Sequence, residues 1–157
     1  MEPSFEKLLV RLADADVKFV LVGGIAVTLH GYVRLTEDVD ILVAHDPGNI
    51  DRLLDSLSTF GEGFARELRP ADFNGDPGAI RIVEESEQCQ MDIFTQMSGL
   101  TFDNLAKDAE HFQIKGREIL YASKAALIRL KETSVREKDR LDVMALRQLA
   151  DNPRAFD

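Results

Sequence analysis

A pair of glycines at the end of an apolar segment, followed by two aspartates one residue apart, constrains this chain more than any other feature. Gly23-Gly24 closes a predicted strand over residues 18–22, and Asp38-Val39-Asp40-Ile41 follows after thirteen residues. Glycines at a turn from strand to helix let backbone amides approach a phosphate. Side chains alternate along a strand, so Asp38 and Asp40 share a face and can bind the same ion. The pattern predicts a site for a metal-bound nucleotide.

Hydrophobic periodicity and turn residues predict an α+β fold, with a small mixed β-sheet flanked by helices. Ser4 is the predicted N-cap of the first helix, Gly31 the stop of the second, and Ser123 the N-cap of the fifth. Residues 61–78 form a loop-rich stretch. The predicted helices are 5–15, 25–30, one after Pro47 that includes Ile50 to Leu57, 102–109, 124–133 and 135–150, and the predicted strands are 18–22, 36–43, 80–83, 91–94 and a hairpin over 111–121.

These elements predict one domain over residues 1–157, with a core at 17–121 and closing C-terminal helices at 123–150. In the last helix, four apolar residues recur at helical spacing and are predicted to face the core: Leu141, Met144, Ala145 and Leu149. The two strands 80–83 and 91–94 are predicted to pair as a hairpin.

Composition excludes several classes of protein. The formal net charge of the 157 residues is -9, which disfavours generic DNA or RNA binding because phosphate backbones are held by many Lys and Arg contacts. The longest mostly apolar stretch, residues 19–33, is too short to span a bilayer and contains Gly23, Gly24 and Gly31. Cys89, the single cysteine, has no internal disulfide partner, and residues 1–4 lack a cationic leader. The expected location is the cytoplasm.

A third carboxylate is expected beside the aspartate pair. Met91-Asp92-Ile93-Phe94 repeats the apolar-acid-apolar pattern on a separate predicted strand, where a lone carboxylate among apolar residues needs a partner. Mg²⁺ prefers oxygen ligands and takes one or two carboxylates together with substrate phosphates. We therefore predict Asp38, Asp40 and Asp92 as catalytic metal ligands for two Mg²⁺ ions, with Mn²⁺ as a substitute.

Three further residues are candidates for nucleotide binding. Arg34 and Thr36 precede the acidic strand, where they contact phosphate or, equally well, pair with Asp38 and cap the turn. Lys131 reaches the triphosphate from a closing helix or lies solvated on the surface, and Lys124 has the same two interpretations. The charged residues of 136–142 are interpreted as exposed ion pairs at helical spacing, with a role in orienting Lys131 as the alternative.

The string Val22-Gly23-Gly24, then Asp38-Val39-Asp40-Ile41 and later Met91-Asp92-Ile93, resembles the polymerase-beta-type nucleotidyltransferase superfamily. Gly23-Gly24-Ile25-Ala26-Val27, His30-Gly31 and Arg34-Leu35-Thr36 resemble its small stand-alone prokaryotic members, which include toxins of toxin–antitoxin pairs.

The resemblance implies a minimal nucleotidyltransferase fold that transfers a nucleoside monophosphate from a nucleoside triphosphate to a hydroxyl acceptor, using Mg²⁺. It places Gly23 and Gly24 at the phosphate-contacting turn, Asp38 and Asp40 as shared metal ligands and Asp92 as the third carboxylate. Many members carry Ser after the first glycine, where this chain has Gly24.

Several alternatives remain open at this stage. The acceptor is a protein hydroxyl, an RNA end or a small molecule such as an aminoglycoside, and an antitoxin is a candidate partner protein. A second class of function is a regulatory module that binds a nucleotide or a partner without turnover. A structural calcium site is disfavoured because no EF-hand spacing surrounds Asp38 and Asp40.

Overall fold

The computed structural model describes residues 1–74 and 78–151. Within these residues the chain forms six α-helices and six β-strands, which confirms the predicted α+β class. The helices are α1 (Pro3–Asp14), α2 (Gly24–Leu29), α3 (Pro47–Leu57), α4 (Phe102–Ala106), α5 (Lys124–Lys131) and α6 (Glu137–Asp151). The strands are β1 (Phe19–Leu21), β2 (Val39–Val43), β3 (Ile80–Glu84), β4 (Cys89–Phe94), β5 (Glu110–Ile114) and β6 (Arg117–Tyr121).

The strands form one mixed sheet in the order β3-β4-β2-β1-β6-β5. Hairpins account for the β3–β4 and β5–β6 pairs, and β1 pairs antiparallel with β2. The pairs β2–β4 and β1–β6 are parallel. Parallel neighbours need a long crossover between them, which here runs from β2 through α3 to the β3–β4 hairpin. This crossover places β4 beside β2, although the two strands are far apart in sequence.

The core lies between the sheet and the helices that cover it. Helix α1 buries Phe5, Leu8, Leu9 and Leu12 and packs against β6 and α3. Val39 and Ile41 of β2 are fully buried, as the alternation of that strand predicts. Among the described residues, no helix is both long enough and apolar enough to cross a membrane.

Turn chemistry was predicted with mixed success. Ser123 accepts a hydrogen bond from the backbone N–H of Ala126 at 3.1 Å and caps α5, as predicted. Gly31 follows His30, the C-cap of α2, in a left-handed conformation (φ 114°), which confirms it as the stop. The N-cap of α1 is Glu2 and not Ser4, because Pro3 takes the first helical position, where its missing N–H costs nothing.

The limits of other elements also differ from prediction. Strand β2 begins at Val39, so Asp38 immediately precedes it, and α4 ends at Ala106. Two short 3₁₀ turns, Phe64–Glu67 and Pro70–Asp72, lie in the stretch predicted as loop, of which residues 75–77 are outside the described part.

The predicted core stripe of α6 is wrong. Leu141 and Met144 are 46% and 66% exposed, whereas Asp142, Val143 and Leu146 are buried. The helix is rotated so that a carboxylate faces inward, and the partners of that carboxylate explain why.

Candidate active site

Three carboxylates meet where β2 and β4 run side by side. Parallel pairing sets Asp40 directly opposite Asp92, and Asp38 lies just before β2 on the same face. One oxygen from each of the three lies within 4.8 Å of the others. Asp92 is buried at 6% exposure, and the other two are partly buried. The structure thus brings together the three acids that the sequence singled out, and we call them the acid wall.

Burial and neighbouring charges shift the pKa values of two carboxylates of the acid wall in opposite directions. Burial, and then the charges of Asp38 and Asp92, raise the pKa of Asp40 to about 7, with Lys131 opposing the rise. Burial alone would also raise the pKa of Asp92, but hydrogen bonds and charge from Arg81 lower it. Arg81 therefore partly neutralises the charge of Asp92, whereas the ionised form of Asp40 is disfavoured.

Arg81 is a site residue that the sequence reasoning missed. It lies on β3 opposite Asp92, and its Nε and Nη2 donate to the two oxygens of that carboxylate at 2.8 and 3.0 Å. Its Nη2 is also 4.0 Å from Asp38 Oδ2. The sequence signal that could have identified Arg81 is its charge opposite Asp92 across the predicted hairpin. Using this signal requires the register of the hairpin to be known.

Each glycine of the turn makes room for a different charged group. A Cβ on Gly23 would lie 1.8 Å from Asp40 Oδ2 and 2.6 Å from Asp40 Cβ. A Cβ on Gly24 would lie 2.9 Å from both Nη atoms of Arg34. Position 24, where many superfamily members carry Ser, is therefore covered by a guanidinium group.

Two cations line the same cleft as the acid wall, and we call Arg34 and Lys131 the cation wall. Arg34 donates from Nε and Nη2 to Asp142 at 2.7 and 2.9 Å. Lys131 Nζ lies 3.0 Å from Asp139 Oδ1 and 3.0 Å from Asp142 Oδ2. The interpretation of 136–142 as exposed ion pairs is therefore wrong for both aspartates, which turn inward to these cations. Arg34 pairs with Asp142 and not with Asp38.

The two walls enclose a cleft of about 260 Å³. Val22, Gly23, Gly24 and the apolar residues Phe94, Met97 and Leu130 complete its lining, with Arg136 and Lys138 at α6. Thr36 lies elsewhere: its hydroxyl is 3.5 Å from the carbonyl oxygen of Arg34, and it lines a neighbouring pocket of about 400 Å³. Lys124 donates to the carbonyl of Leu149 at 3.2 Å. A cleft lined by both carboxylates and cations can hold a metal-bound polyphosphate.

Comparisons with known proteins identify the family of the chain. The family model described as nucleotidyl transferase of unknown function (DUF2204) matches residues 3–156. No curated protein matches the chain significantly.

Two solved structures share the fold. One is the lincosamide antibiotic adenylyltransferase LnuA bound to lincomycin, with a TM-score of 0.65 and 20% identity over 95% of this chain and 98% of LnuA. The other is an antigenic nucleotidyltransferase-like protein from Paracoccidioides brasiliensis, with a TM-score of 0.53 and 16% identity over 92% of this chain and 73% of the other. At these identities the likeness shows the fold alone. The resemblance to nucleotidyltransferases is confirmed by the family match, and the chain belongs to the nucleotidyl transferase family of unknown function DUF2204.

Proposed function

We propose that the cleft transfers a nucleoside monophosphate from a nucleoside triphosphate to a hydroxyl acceptor, with Mg²⁺ as cofactor. The observation that carries the proposal is the meeting of Asp38, Asp40 and Asp92 within 4.8 Å in a cleft that also holds Lys131 and Arg34. Carboxylates without bound cations repel one another, so their convergence is costly unless a cation joins them.

The donor set of the acid wall fits hard divalent cations. Three carboxylates supply oxygen ligands of the kind that Mg²⁺ and Mn²⁺ take, and phosphate oxygens of the substrate complete such sites. Burial, and then the charges of Asp38 and Asp92, raise the pKa of Asp40 to about 7, and a divalent cation bound there would favour the ionised carboxylate. Two ions bound by these side chains would activate the acceptor hydroxyl and neutralise charge on the leaving pyrophosphate.

The chain itself supplies positioning. Arg34 and Lys131 hold the triphosphate from the cation wall, and Gly23 leaves the backbone open to close approach. The acceptor oxygen then bonds to the α-phosphorus as the bond to pyrophosphate breaks, and the hydroxyl proton leaves to solvent. Holding the reactants in line and neutralising charge provide the rate enhancement.

For the acceptor we propose a small hydroxylated molecule. The net charge of -9 disfavours a nucleic-acid acceptor. LnuA, an antibiotic adenylyltransferase, matches over 98% of its own length, so a fold of this size suffices for a small acceptor in that protein. Lincosamide and aminoglycoside probes are the first to test.

The test follows transfer of α-³²P label from each of the four ribonucleoside triphosphates, with Mg²⁺ and each acceptor probe, and measures pyrophosphate release. Asp40→Asn is expected to lower the rate by about 10²–10³-fold, because it removes a carboxylate that would hold the catalytic cation. The matched control is Asp51→Asn, which neutralises an exposed aspartate of α3 and leaves the rate unchanged. Equal rates for Asp40→Asn and the unmodified protein would refute the proposal.

The same mixtures separate the alternative function. Nucleotide binding without pyrophosphate release in every mixture would favour a regulatory module. A role in a toxin–antitoxin pair is tested by expressing the chain with and without the neighbouring gene. Growth arrest that the neighbour relieves, and that Asp40→Asn abolishes, supports that role.

A further inference from the structure

Asp142 is a buried carboxylate on a helix that contributes no ligand to the acid wall. Its side chain is 0% exposed and lies on α6, more than one hundred residues from Arg34 along the chain. A buried carboxylate is costly unless it is paired and hydrogen-bonded. Replacing buried ion pairs by apolar residues is often neutral or stabilising, so stability alone is a weak reason for this one.

Both partners of Asp142 are the cations of the cleft. Arg34 binds it through two N–H groups, the bidentate geometry that fixes the plane of a guanidinium as well as its distance. Lys131 binds the Oδ2 atom of the same carboxylate at 3.0 Å. One carboxylate therefore sets the positions of two side chains that come from different parts of the chain.

Each cation keeps hydrogen-bonding capacity for a ligand. In the hydrogen bonds of the described residues, Arg34 uses Nε and Nη2 for Asp142 and one Nη1 N–H for the carbonyl of Leu35. A guanidinium has five N–H donors, so two remain. Lys131 directs two of its three donors to Asp139 and Asp142. Both side chains line the cleft, where the remaining donors can meet an anion.

Gly24 adds a second constraint on Arg34. The guanidinium lies over the backbone of Gly24, within 2.9 Å of where a Cβ would be. Asp142 holds the group from one side, and the absence of a side chain at position 24 gives it space on the other. The guanidinium thus lies directly beside position 24, where many superfamily members have a serine.

We propose that Asp142 is a positioning residue that aligns Arg34 and Lys131 to receive the β- and γ-phosphates of the substrate. This inference rests on the proposed function, since it assigns the cation wall to the triphosphate. Asp142 acts through the two cations and makes no contact with substrate itself.

The test uses calorimetric binding of magnesium tripolyphosphate, which has no base or sugar and so does not depend on nucleotide preference. Asp142→Asn is expected to weaken binding by about tenfold or more, because neutralising the carboxylate releases both cations from their positions. The matched control is Glu132→Gln, which breaks the exposed α5–α6 ion pair of Glu132 with Arg147 at 3.8 Å. The control is expected to bind within twofold of the unmodified protein.

A double-mutant cycle of Asp142 and Arg34 distinguishes a positioning role of Asp142 from a purely structural one. In the background of Arg34→Gln, the loss caused by Asp142→Asn is expected to be much smaller, because one of its two targets is already absent. Equal losses in both backgrounds, or binding by Asp142→Asn within twofold of the unmodified protein, would overturn the inference.

If thermal melting shows that Asp142→Asn does not fold, Asp142→Glu replaces it. That variant keeps the charge and moves the carboxylate by one methylene, so positioning predicts weaker binding and unchanged affinity overturns the inference. If the unmodified protein binds no tripolyphosphate but still transfers label, only the inference fails. If it neither binds tripolyphosphate nor transfers label, the proposed function fails as well.

Discussion

The acid wall and the cation wall line one cleft, but their charges are balanced in different ways. In the acid wall, Arg81 is the cation bound directly to a carboxylate, and the pKa of Asp40 rises to about 7. In the cation wall, Arg34 and Lys131 are each bound to buried or half-buried aspartates at 2.7–3.0 Å. The acid wall can gain positive charge from a bound metal ion. The side chains of the cation wall are already held in place by aspartates without a ligand.

The difference shows where binding energy is expected to act. Folding brings the three carboxylates close together, where they repel one another. A divalent cation relieves this repulsion, which makes its binding more favourable. A phosphate that meets the cation wall finds donors held in place, so little side-chain entropy is lost on binding. The two neighbouring glycines allow each wall to be disturbed separately.

Of the two glycine substitutions, Gly23→Ala is expected to have the larger effect, because it disturbs the acid wall. The new Cβ would lie 1.8 Å from Asp40 Oδ2 and must displace that side chain. A displacement of about 1 Å in a reacting group can cost about 10²-fold in rate, and pyrophosphate release should fall by that order. The control is Gly48→Ala in α3, where the nearest atom is 3.3 Å away. Normal turnover by Gly23→Ala would show that Asp40 has no fixed role.

A smaller effect is expected from Gly24→Ala, which disturbs the cation wall. Its Cβ would meet the far end of Arg34 at 2.9 Å, and a flexible side chain can shift. We expect KM for the nucleotide to rise about tenfold with little change in kcat, since the loss is in substrate binding. Steady-state kinetics at varied nucleotide concentration checks this, with Gly48→Ala again as control. A fall in kcat with unchanged KM would contradict the division between the walls.

The internal pairing of the cation wall is tested by Asp139→Asn. Burial alone would raise the pKa of Asp139, but hydrogen bonds from Ser134 and Lys131 and the charge of Lys131 lower it. A carboxyl group whose pKa is lowered by folding stabilises the folded state at pH values above its ordinary, unfolded-state pKa. That stabilisation is lost as the pH falls through the lowered pKa of the folded state, below about 4.

Asp139→Asn should therefore reduce the free energy of unfolding by about 1 kcal/mol at pH 7, and by progressively less below pH 4. Urea unfolding across this pH range measures the difference, with exposed Asp51→Asn as the control. A difference that does not change with pH would mean that the charge of Asp139 contributes nothing.

The smallest effect is expected from Arg81→Gln. Arg81 is largely exposed and competes with a cation for Asp92, so its removal should tighten Mn²⁺ binding, by roughly two- to fivefold. Calorimetric titration of the nucleotide-free protein with Mn²⁺ measures this, and Lys107→Gln removes one exposed positive charge elsewhere as the control. Weaker Mn²⁺ binding in Arg81→Gln would mean that Arg81 supports the metal site.

The acid wall was accessible from sequence because it depends on local rules. Alternation along a strand places Asp38 and Asp40 on one face, and the repeated apolar-acid-apolar pattern identifies Asp92. Arg81 was missed because its partner is set by hairpin register, which the intervening residues do not reveal. The roles of all these residues remain proposals, whereas their proximity is a feature of the structure.

The cation wall was not accessible in the same way. Helical periodicity favoured Leu141 and Met144 as the buried stripe of α6, yet Asp142 faces inward. Helical periodicity assigns charged residues to the solvent-exposed face of a helix. It cannot indicate that Asp142 pairs with Arg34, which lies 108 positions away in the sequence. Arg34 and Lys131 were found as candidates, whereas Asp142 was interpreted as part of an exposed set of ion pairs, with a role in orienting Lys131 as the alternative.

The pairing of β2 with β4 has a consequence for how this chain can change. Asp40 and Asp92 are neighbours because two strands share a ladder, so strand spacing sets their separation whatever the length of the crossover. An insertion within the turns at Phe64–Glu67 or Pro70–Asp72 would alter the outer surface while the pair stays in register. New surface for recognising an acceptor could accumulate there without rebuilding the chemistry.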